Sequence, residues 1–326
     1  KSMMKLKFIL LSLLTFLLYG TIYAQNIIPS PKEYVQKGDA TYPIKRVIAK
    51  DVDNSSDAYS LISEKGKVFI SGNEIWARQT LRQLVDAGGN IPDVEIRDCA
   101  AYPMRGFMHD CGRNFQSIEM LKETIDLMSF YKFNVFHWHL TDHPAWRIEC
   151  KVYPQLNDPQ YQRKGRDEGK FYTYSQIRML IKYAQKRGIT VIPEIDMPGH
   201  STYFKDAFGF SMDSEEGKVV LGKCLSEFFE EIPAAICPYF HIGSDEIHIG
   251  DPEGFMRWAE DLVRENGRIV IAWDPGLPPS PTTIRQIWNE AAGSNAAATN
   301  KSGKYLDSFV GYLNYYDPIL FVSRAF

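Results

Sequence analysis

Residues 239–246 have the sequence Tyr-Phe-His-Ile-Gly-Ser-Asp-Glu, an apolar run that passes through a Gly-Ser turn into two adjacent carboxylates. The pattern predicts a short buried strand with Asp245 and Glu246 just past its carboxyl end. When two carboxyl groups are buried side by side they cannot both ionise comfortably, so the pKa of one rises. A protonated carboxylic acid beside an ionised carboxylate can serve as a general acid. A solvated Asp-Glu pair on a loop is the commoner arrangement, so the rest of the chain decides the function.

The same pattern of a strand followed by polar residues recurs from about residue 100 onwards. Seven strand-like runs alternate with helical stretches or long loops, which indicates parallel strands joined by crossover helices. The runs are 104–110, 133–140, 189–195, 239–242, 268–273, 283–288 and 309–314. The helices are 117–131 with Ser117 as N-cap, 173–187 ended by Gly188, and 252–266. No glycine-rich phosphate turn follows the first strand, so a (β/α)₈ TIM-type barrel fits better than a doubly wound sheet.

Polar or aromatic side chains follow each predicted barrel strand. Catalytic groups of such barrels lie at the carboxyl ends of the strands. Each of these residues alone could be a structural polar group or a core aromatic, but one group per strand end favours function. In strand order they are Asp110 and Arg113; His137, His139 and Asp142; Glu194, Asp196 and His200; Asp245 and Glu246; Trp273; Trp288; Tyr312 and Asn314.

Composition limits the function classes. The 326 residues suffice for one large domain and a small one. A formal net charge of −3 gives no electrostatic case for nucleic acid or an anionic membrane surface. The aromatic content of 13% suits a large core and also a sugar site, where flat rings pack on sugar faces. The 5 cysteines form no CxxC pair and lack zinc-ligand spacing, so we interpret them as structural.

The N-terminus has the pattern of a secretory signal peptide. Lys1, Lys5 and Lys7 precede an apolar run over 8–18, and Ala24 offers a small residue at a cleavage point. The run is too short for a membrane span, and no other stretch is long and apolar enough. We therefore expect a signal peptide over 1–24 and an exported protein, periplasmic or secreted. The alternative is a short buried helix.

Residues 25–99 predict a small N-terminal α/β domain without a catalytic constellation. Its clearest elements are a strand over 67–73, a helix over 75–85 and a strand over 91–96. The barrel then occupies 100–326.

Four segments, in this order, resemble the family 20 glycoside hydrolases, the β-N-acetylhexosaminidases. They are RGFMHDCGR (105–113), FNVFHWHLTDHPAWRIE (133–149), GITVIPEIDMPGHS (188–201) and YFHIGSDE (239–246). The similarity covers about 100–314, and the N-terminal unit is similar to the small α/β domain that precedes the barrel in that family. The resemblance implies exo-acting hydrolysis of terminal non-reducing GlcNAc or GalNAc from glycans, with no metal or organic cofactor.

The resemblance also implies substrate-assisted catalysis with retention, in which the substrate's 2-acetamido oxygen is the nucleophile. Glu246 would protonate the glycosidic oxygen and then deprotonate water. Asp245 would orient the acetamide and stabilise the positive charge on its nitrogen. The implied substrate contacts are Arg113 to the 3- and 4-hydroxyls, the Asp142–His200 pair beside Glu246, Trp273 and Trp288 around the acetamide, Tyr312 to its carbonyl, and Asn314 to a hydroxyl. Glu194 and Asp196 could order the loop of His200, and we assign them no catalytic role.

The chain departs from the family pattern in three places. Gly243-Ser244 replaces two glycines, and residues 143–146 (HPAW) replace a second Asp, a Gln and a Gly. Nothing after Tyr316 matches the Trp and Glu of the family's eighth strand, so we expect a barrel without that strand and with open edges. Two alternatives follow, a catalytically impaired sugar-binding protein and a fragment of a longer hexosaminidase. A hydrolase of plain glucosides is a third, which would need a second carboxylate about 5 Å from the acid.

Overall fold

The computed structural model describes residues 27–289 and 304–309. These residues fall into two compact units, 27–105 with 126–134, and 106–125 with 135–289 and 304–309. The predicted signal peptide, and Tyr312 and Asn314, lie outside the described residues. Within the described ranges no helix is long and apolar enough to cross a membrane.

The first unit is a mixed five-stranded sheet with one helix. Its elements are β1 (Glu33–Pro43), β2 (Arg46–Val52), β3 (Tyr59–Glu64), β4 (Lys67–Gly72), α1 (Glu74–Leu84) and β5 (Asn90–Asp98). The strand order is β1-β5-β3-β4-β2, and only the β2–β4 pair is parallel. The core joins Leu61 and Ile70 of the sheet to Trp76 and Leu81 of the helix.

The sequence predicted β4, α1 and β5 of this unit and missed the other three strands. The apolar alternation of β4 is plain, since Val68 and Ile70 are buried. In β1 the residues are exposed or half-buried throughout, so this edge strand carries little hydrophobic signal. Backbone pairing with β5 places β1 in the sheet.

The second unit is built on a parallel sheet whose seven described strands follow one another in chain order. They are β6 (Gly106–Asp110), β7 (Val135–His139), β10 (Thr190–Glu194), β11 (Tyr239–His241), β12 (Ile269–Asp274), β13 (Ile284–Ile287) and β14 (Tyr305–Asp307). A short hairpin, β8 (Thr141–Asp142) and β9 (Ala145–Trp146), follows β7. Sequential parallel pairing is the topology of the predicted (β/α) barrel, and the described residues form part of one.

Five helices accompany this sheet. They are α2 (Ile118–Phe130), α3 (Tyr174–Gln185), α4 (Thr202–Phe208), α5 (Glu215–Glu231) and α6 (Pro252–Glu265). The predicted N-cap of α2 is confirmed, since the Met120 N–H donates to Ser117 Oγ over 3.2 Å. Helices α4 and α5 were not predicted from the sequence. The signal for α5 was present, because Ser214 caps it and Leu221, Leu225 and Phe228 repeat at helical spacing on its buried face.

The seventh predicted strand, 309–314, lies outside the described residues except for Phe309. The structure forms β14 at Tyr305–Asp307, paired in parallel with β13, and Phe309 follows the strand. The strand ends because Phe309 N–H donates to Asp307 Oδ1 over 3.1 Å, which closes a turn. Residues 310–314 lie outside the described part of the chain.

Side-chain alternation separates a polar face of the sheet from an apolar one. On the helix side, Phe240 packs against Phe228 and Phe229 of α5. On the other side, the register aligns the last residues of four strands in one row. This row is Asp110, His139, Glu194 and His241. A period of two in each strand therefore places acids and imidazoles at the carboxyl end of the sheet.

Candidate active site

The strand ends bring five of the predicted site residues together. Arg113 Nη2 lies 2.9 Å from Asp142 Oδ2. Asp142 Oδ1 lies 3.7 Å from His200 Nδ1. The other ring nitrogen, His200 Nε2, lies 3.4 Å from Glu246 Oε2 and 3.8 Å from Asp245 Oδ2. These charged groups form one continuous chain from the first barrel strand to the fourth.

The two adjacent carboxylates have different surroundings. The Asp245 side chain is 15% exposed and that of Glu246 56%. Burial raises the pKa of Asp245 to about 6, although the positive charge of His200 acts in the opposite direction. The raised pKa inferred for one member of the pair therefore belongs to Asp245. Glu246 is the member that reaches into solvent, where a leaving group or a water can meet it.

Backbone strain is concentrated at this turn. Gly243, Ser244 and Glu246 have φ of 65°, 85° and 49°, and His200 has φ of 48°. Non-glycine residues in the left-handed region cost on the order of 1 kcal/mol or more and persist where their surroundings fix them. Ser244 N–H donates to Asp196 Oδ1 over 3.0 Å, so Asp196 holds the turn that presents the pair.

Gly243→Ala should destabilise the protein and disable the site. An added Cβ would lie 1.8 Å from Asp196 Oδ1, at a φ of 65°. We expect a loss of more than about 2 kcal/mol in the free energy of unfolding, from overpacking and left-handed strain together. The matched control is Gly165→Ala, with a φ of 74° but nothing within 4 Å of the new Cβ. Urea unfolding measures the free energy of unfolding of both variants. Equal losses of stability in the two would contradict the predicted clash with Asp196.

Asp142 and His200 are electrostatically matched. Asp142 is fully buried. Burial opposes its ionisation, but the hydrogen bond with His139 and the nearby His200 and Arg113 more than offset this and lower its pKa. Burial also opposes protonation of His200, yet the carboxylates of Asp142 and Asp245 raise its pKa. The site therefore favours an anionic Asp142 beside a cationic His200.

A second, buried cluster surrounds Glu194. Its Oε2 lies 2.8 Å from His137 Nε2 and 2.7 Å from His139 Nδ1. Trp273 Nε1 donates to Oε1 over 2.7 Å, and His241 Nδ1 lies 3.4 Å from the same oxygen. Sequence reasoning assigned Glu194 no catalytic role. Its place at a strand end, beside histidines at the ends of neighbouring strands, was the available signal.

The two tryptophans predicted around the acetamide have different positions. Trp273 is buried, and its ring lies 4.7 Å from that of His241, within the Glu194 cluster. Trp288 is half-buried and donates through Nε1 to Pro275 O over 2.8 Å. Their role as walls of an acetamide pocket stays a prediction, as do the roles of Tyr312 and Asn314.

The divergent loop after Asp142 borders the site. His143 Nδ1 lies 2.6 Å from Thr202 Oγ1, and its ring lies 4.9 Å from that of His200. Its N–H donates to Asp142 Oδ1 over 2.6 Å. His143 therefore connects the hairpin β8–β9 to the segment of His200 and Thr202.

Several groups of three acids and histidines lie close enough to be considered as metal ligands, among them His137, Glu194 and His241. Two ligand atoms on one tetrahedral zinc lie about 3.3 Å apart, given bonds of about 2.0–2.1 Å. The 2.8 Å between His137 Nε2 and Glu194 Oε2 is shorter than that separation and is the distance of a close ion pair. The described geometry is that of paired imidazoles and carboxylates.

The fold is a parallel barrel, and its strand ends carry an Asp-Glu pair, an arginine and an Asp–His pair. This is the architecture of a barrel-fold glycoside hydrolase. Comparison with known proteins gives the family. The profile of "Glycosyl hydrolase family 20, catalytic domain" matches residues 102–253, and that of "Glycosyl hydrolase family 20, domain 2" matches 25–99. The chain belongs to glycoside hydrolase family 20.

Curated relatives agree with this assignment. The β-hexosaminidase of Porphyromonas gingivalis is 33% identical over 326 residues, covering 78% of this chain and 42% of the relative. That of Vibrio furnissii is 34% identical over 283 residues, covering 68% and 46%. The chain thus spans less than half the length of these two relatives.

Solved structures share the fold. The exo-β-N-acetylglucosaminidase of Vibrio harveyi, in complex with N-acetylglucosamine, matches with a TM-score of 0.72 and 26% identity, covering 85% of this chain and 60% of that one. The β-N-acetylhexosaminidase of Bacteroides fragilis matches with a TM-score of 0.76 and 24% identity, covering 90% and 77%. The predicted barrel class and the preceding small domain are confirmed.

Proposed function

We propose that the protein is an exo-acting β-N-acetylhexosaminidase that removes terminal non-reducing GlcNAc or GalNAc from oligosaccharides or glycoconjugates. The observation that carries the proposal is the Asp245–Glu246 pair, with one carboxylate largely buried, the other exposed, and both facing His200. The names of the relatives support the same activity.

Substrate binding is assigned to Arg113. Its side chain is 44% exposed, and its guanidinium contacts Asp110 over 2.8 Å and Asp142 over 2.9 Å. These two carboxylates fix the plane of the guanidinium. A planar donor group held in one orientation suits a pair of neighbouring sugar hydroxyls.

In the first chemical step, the acetamide oxygen of the substrate forms a bond to the anomeric carbon. The bond from that carbon to the glycosidic oxygen breaks, and Glu246 gives its proton to the leaving oxygen. Asp245, as a carboxylate, accepts a hydrogen bond from the acetamide N–H and stabilises the charge that develops there. Burial of Asp245 strengthens this interaction, because little water competes with it.

In the second step, Glu246 takes a proton from water, and the resulting hydroxide oxygen bonds to the anomeric carbon as the oxazolinium-like ring opens. Two displacements on one carbon give net retention. His200 contacts both carboxylates and can stabilise Glu246 while it is ionised between the steps.

The test compares two nitrophenyl glycosides that differ only in the 2-substituent. We expect nitrophenol release from the β-N-acetylglucosaminide and none from the β-glucoside, because the plain sugar has no acetamide nucleophile. An oxazoline-mimicking thiazoline should inhibit. Equal cleavage of both sugars would instead favour the two-carboxylate hydrolase. GlcNAc binding by calorimetry without turnover would favour the impaired sugar-binding protein.

We further propose that the protein is exported through cleavage after Ala24. N-terminal sequencing of the protein recovered from the periplasm or the medium tests this, and an intact N-terminus on the mature protein would contradict it.

A further inference from the structure

We propose that His139 and Glu194 are positioning residues of this site, a buried imidazolium–carboxylate pair that fixes Asp142 and, through it, Arg113 and His200. This inference rests on the proposed function and names residues to which that function assigns no role.

Both ring nitrogens of His139 face carboxylate oxygens. Nδ1 lies 2.7 Å from Glu194 Oε2, and Nε2 lies 2.9 Å from Asp142 Oδ2. A neutral imidazole carries one N–H and would turn a lone pair towards one of these carboxylates. Nε2 makes a hydrogen bond with Asp142, and Nδ1 forms a close ion pair with Glu194. The carboxylates on either side of the ring therefore favour its doubly protonated form.

Burial makes the loss of any one charge in this arrangement costly. Asp142 and Glu194 are fully buried, and His139 is 2% exposed. Removing one member of a buried charge set leaves an uncompensated charge, which costs more than a surface pair contributes. The imidazolium lies between two anions, so loss of its charge would leave both buried carboxylates without the cation that they share.

Asp142 is the point at which this pair meets the site. Its Oδ2 is shared by His139 and Arg113, each over 2.9 Å. Its Oδ1 accepts from His143 N–H and faces His200. A rotation of the carboxylate would alter the orientation of the arginine proposed to bind sugar and of the histidine beside Glu246.

Glu194 anchors the other side of the ring. Its carboxylate also contacts His137 over 2.8 Å and Trp273 over 2.7 Å, from two other barrel strands. In the sheet register, Glu194 pairs with His139 on one neighbouring strand and with His241 on the other. Residues of three other strands, β7, β11 and β12, therefore hold it in place, and it can fix the ring of His139.

The protonation of His139 depends on the charges around it. Burial disfavours its charged form, but Glu194 and Asp142 more than offset this, so its pKa lies well above its ordinary range. The charged or titratable groups that interact with it are Asp110, Asp142, Glu194, Asp196, His241 and Asp245, while His137 and Arg113 contact its partners Glu194 and Asp142. Neutralising Glu194 removes the largest favourable contribution, so the ring should lose its proton at a lower pH.

The experiment uses Glu194→Gln, which keeps size and removes charge. We expect kcat for nitrophenyl β-N-acetylglucosaminide to fall about 10- to 100-fold, the range typical when a residue that orients a functional side chain, here Asp142, is changed. The alkaline limb of the kcat profile should also move to lower pH, which a merely structural role would not cause. The matched control is Glu260→Gln, another buried carboxylate, which contacts Thr283 and Arg264 and lies outside the site. It should alter stability and leave the pH profile in place.

Two further measurements test the His139–Glu194 pair, an NMR titration of the wild type and a double variant. In ¹⁵N NMR of the wild type, both His139 nitrogens should stay protonated well above pH 6.5, the ordinary histidine pKa. A ring that titrates normally would overturn the proposal even if no variant folds. His139→Gln combined with Glu194→Gln should be no worse than the more damaging single change, because both act through Asp142. Fully additive losses would also overturn it.

These outcomes separate the two proposals. A wild type that releases no nitrophenol contradicts the proposed function, while the NMR result still tests the His139–Glu194 pair. An active wild type whose pH profile is unchanged by Glu194→Gln contradicts only the positioning role.

Discussion

Glu246→Gln is expected to lower kcat on an oligosaccharide substrate by about 10²- to 10⁴-fold, the range typical of a lost general acid–base. Glutamine cannot give a proton to the glycosidic oxygen or take one from water. The loss should be smaller for the first step on a nitrophenyl glycoside, because nitrophenolate departs without full protonation. Steady-state kinetics on chitobiose and on the nitrophenyl glycoside would show this difference.

The control for Glu246→Gln is Glu123→Gln, an exposed glutamate on α2 in the same unit. It should leave both substrates' kinetics unchanged. Glu246 is exposed, so the variant should fold with the wild-type melting temperature. An equal loss on both substrates, or no loss on either, would contradict the assignment of Glu246 as the proton carrier.

Asp245→Asn is expected to lower kcat by about 10²- to 10³-fold on both substrates alike, a range typical of lost electrostatic stabilisation. The reason is that Asp245 acts on the acetamide nucleophile, so a better leaving group does not compensate. Asparagine keeps the shape of the side chain and removes the charge. The ratio of losses on the two substrates therefore distinguishes the two neighbouring carboxylates.

The pH dependence of Asp245 has a defined sign. Its pKa of about 6 means that the carboxylate is present above that pH and is lost below it. Wild-type kcat should therefore fall as the pH drops through about 6, and Asp245→Asn should lack this limb. An acid limb that persists unchanged in the variant would contradict the assignment.

Stability should move in the opposite direction from activity. Because the folded-state pKa lies above the ordinary 3.8, the folded protein binds more protons between pH 3.8 and about 6. Its free energy of unfolding therefore decreases as the pH rises through that window. At neutral pH, Asp245→Asn should be more stable than the wild type by roughly 1–3 kcal/mol. The control is Asp206→Asn, at an exposed position, which should change neither the free energy of unfolding nor kcat.

Part of the fold was predictable because its signals are local. The strands ending at Asp110, His139, Glu194 and His241 are runs of apolar and β-branched residues followed by polar ones, and such runs predict buried parallel strands. Edge strand β1 carries no such signal, and neither does β14 (Tyr305–Asp307), whose three residues are exposed or half-buried and were not predicted as a strand. At edges, backbone pairing with a neighbour outweighs side-chain pattern.

The sequence by itself determined the barrel class and the group of polar residues at its strand ends, since strand periodicity and chain order place those ends together. It did not determine that Asp245 is largely buried and Glu246 exposed, although the two are adjacent in the chain. It also gave no role to His139, which bridges Asp142 and Glu194. Only the tertiary structure decided these points, because burial and charge pairing depend on residues that are distant in sequence and meet only when the strands close side by side.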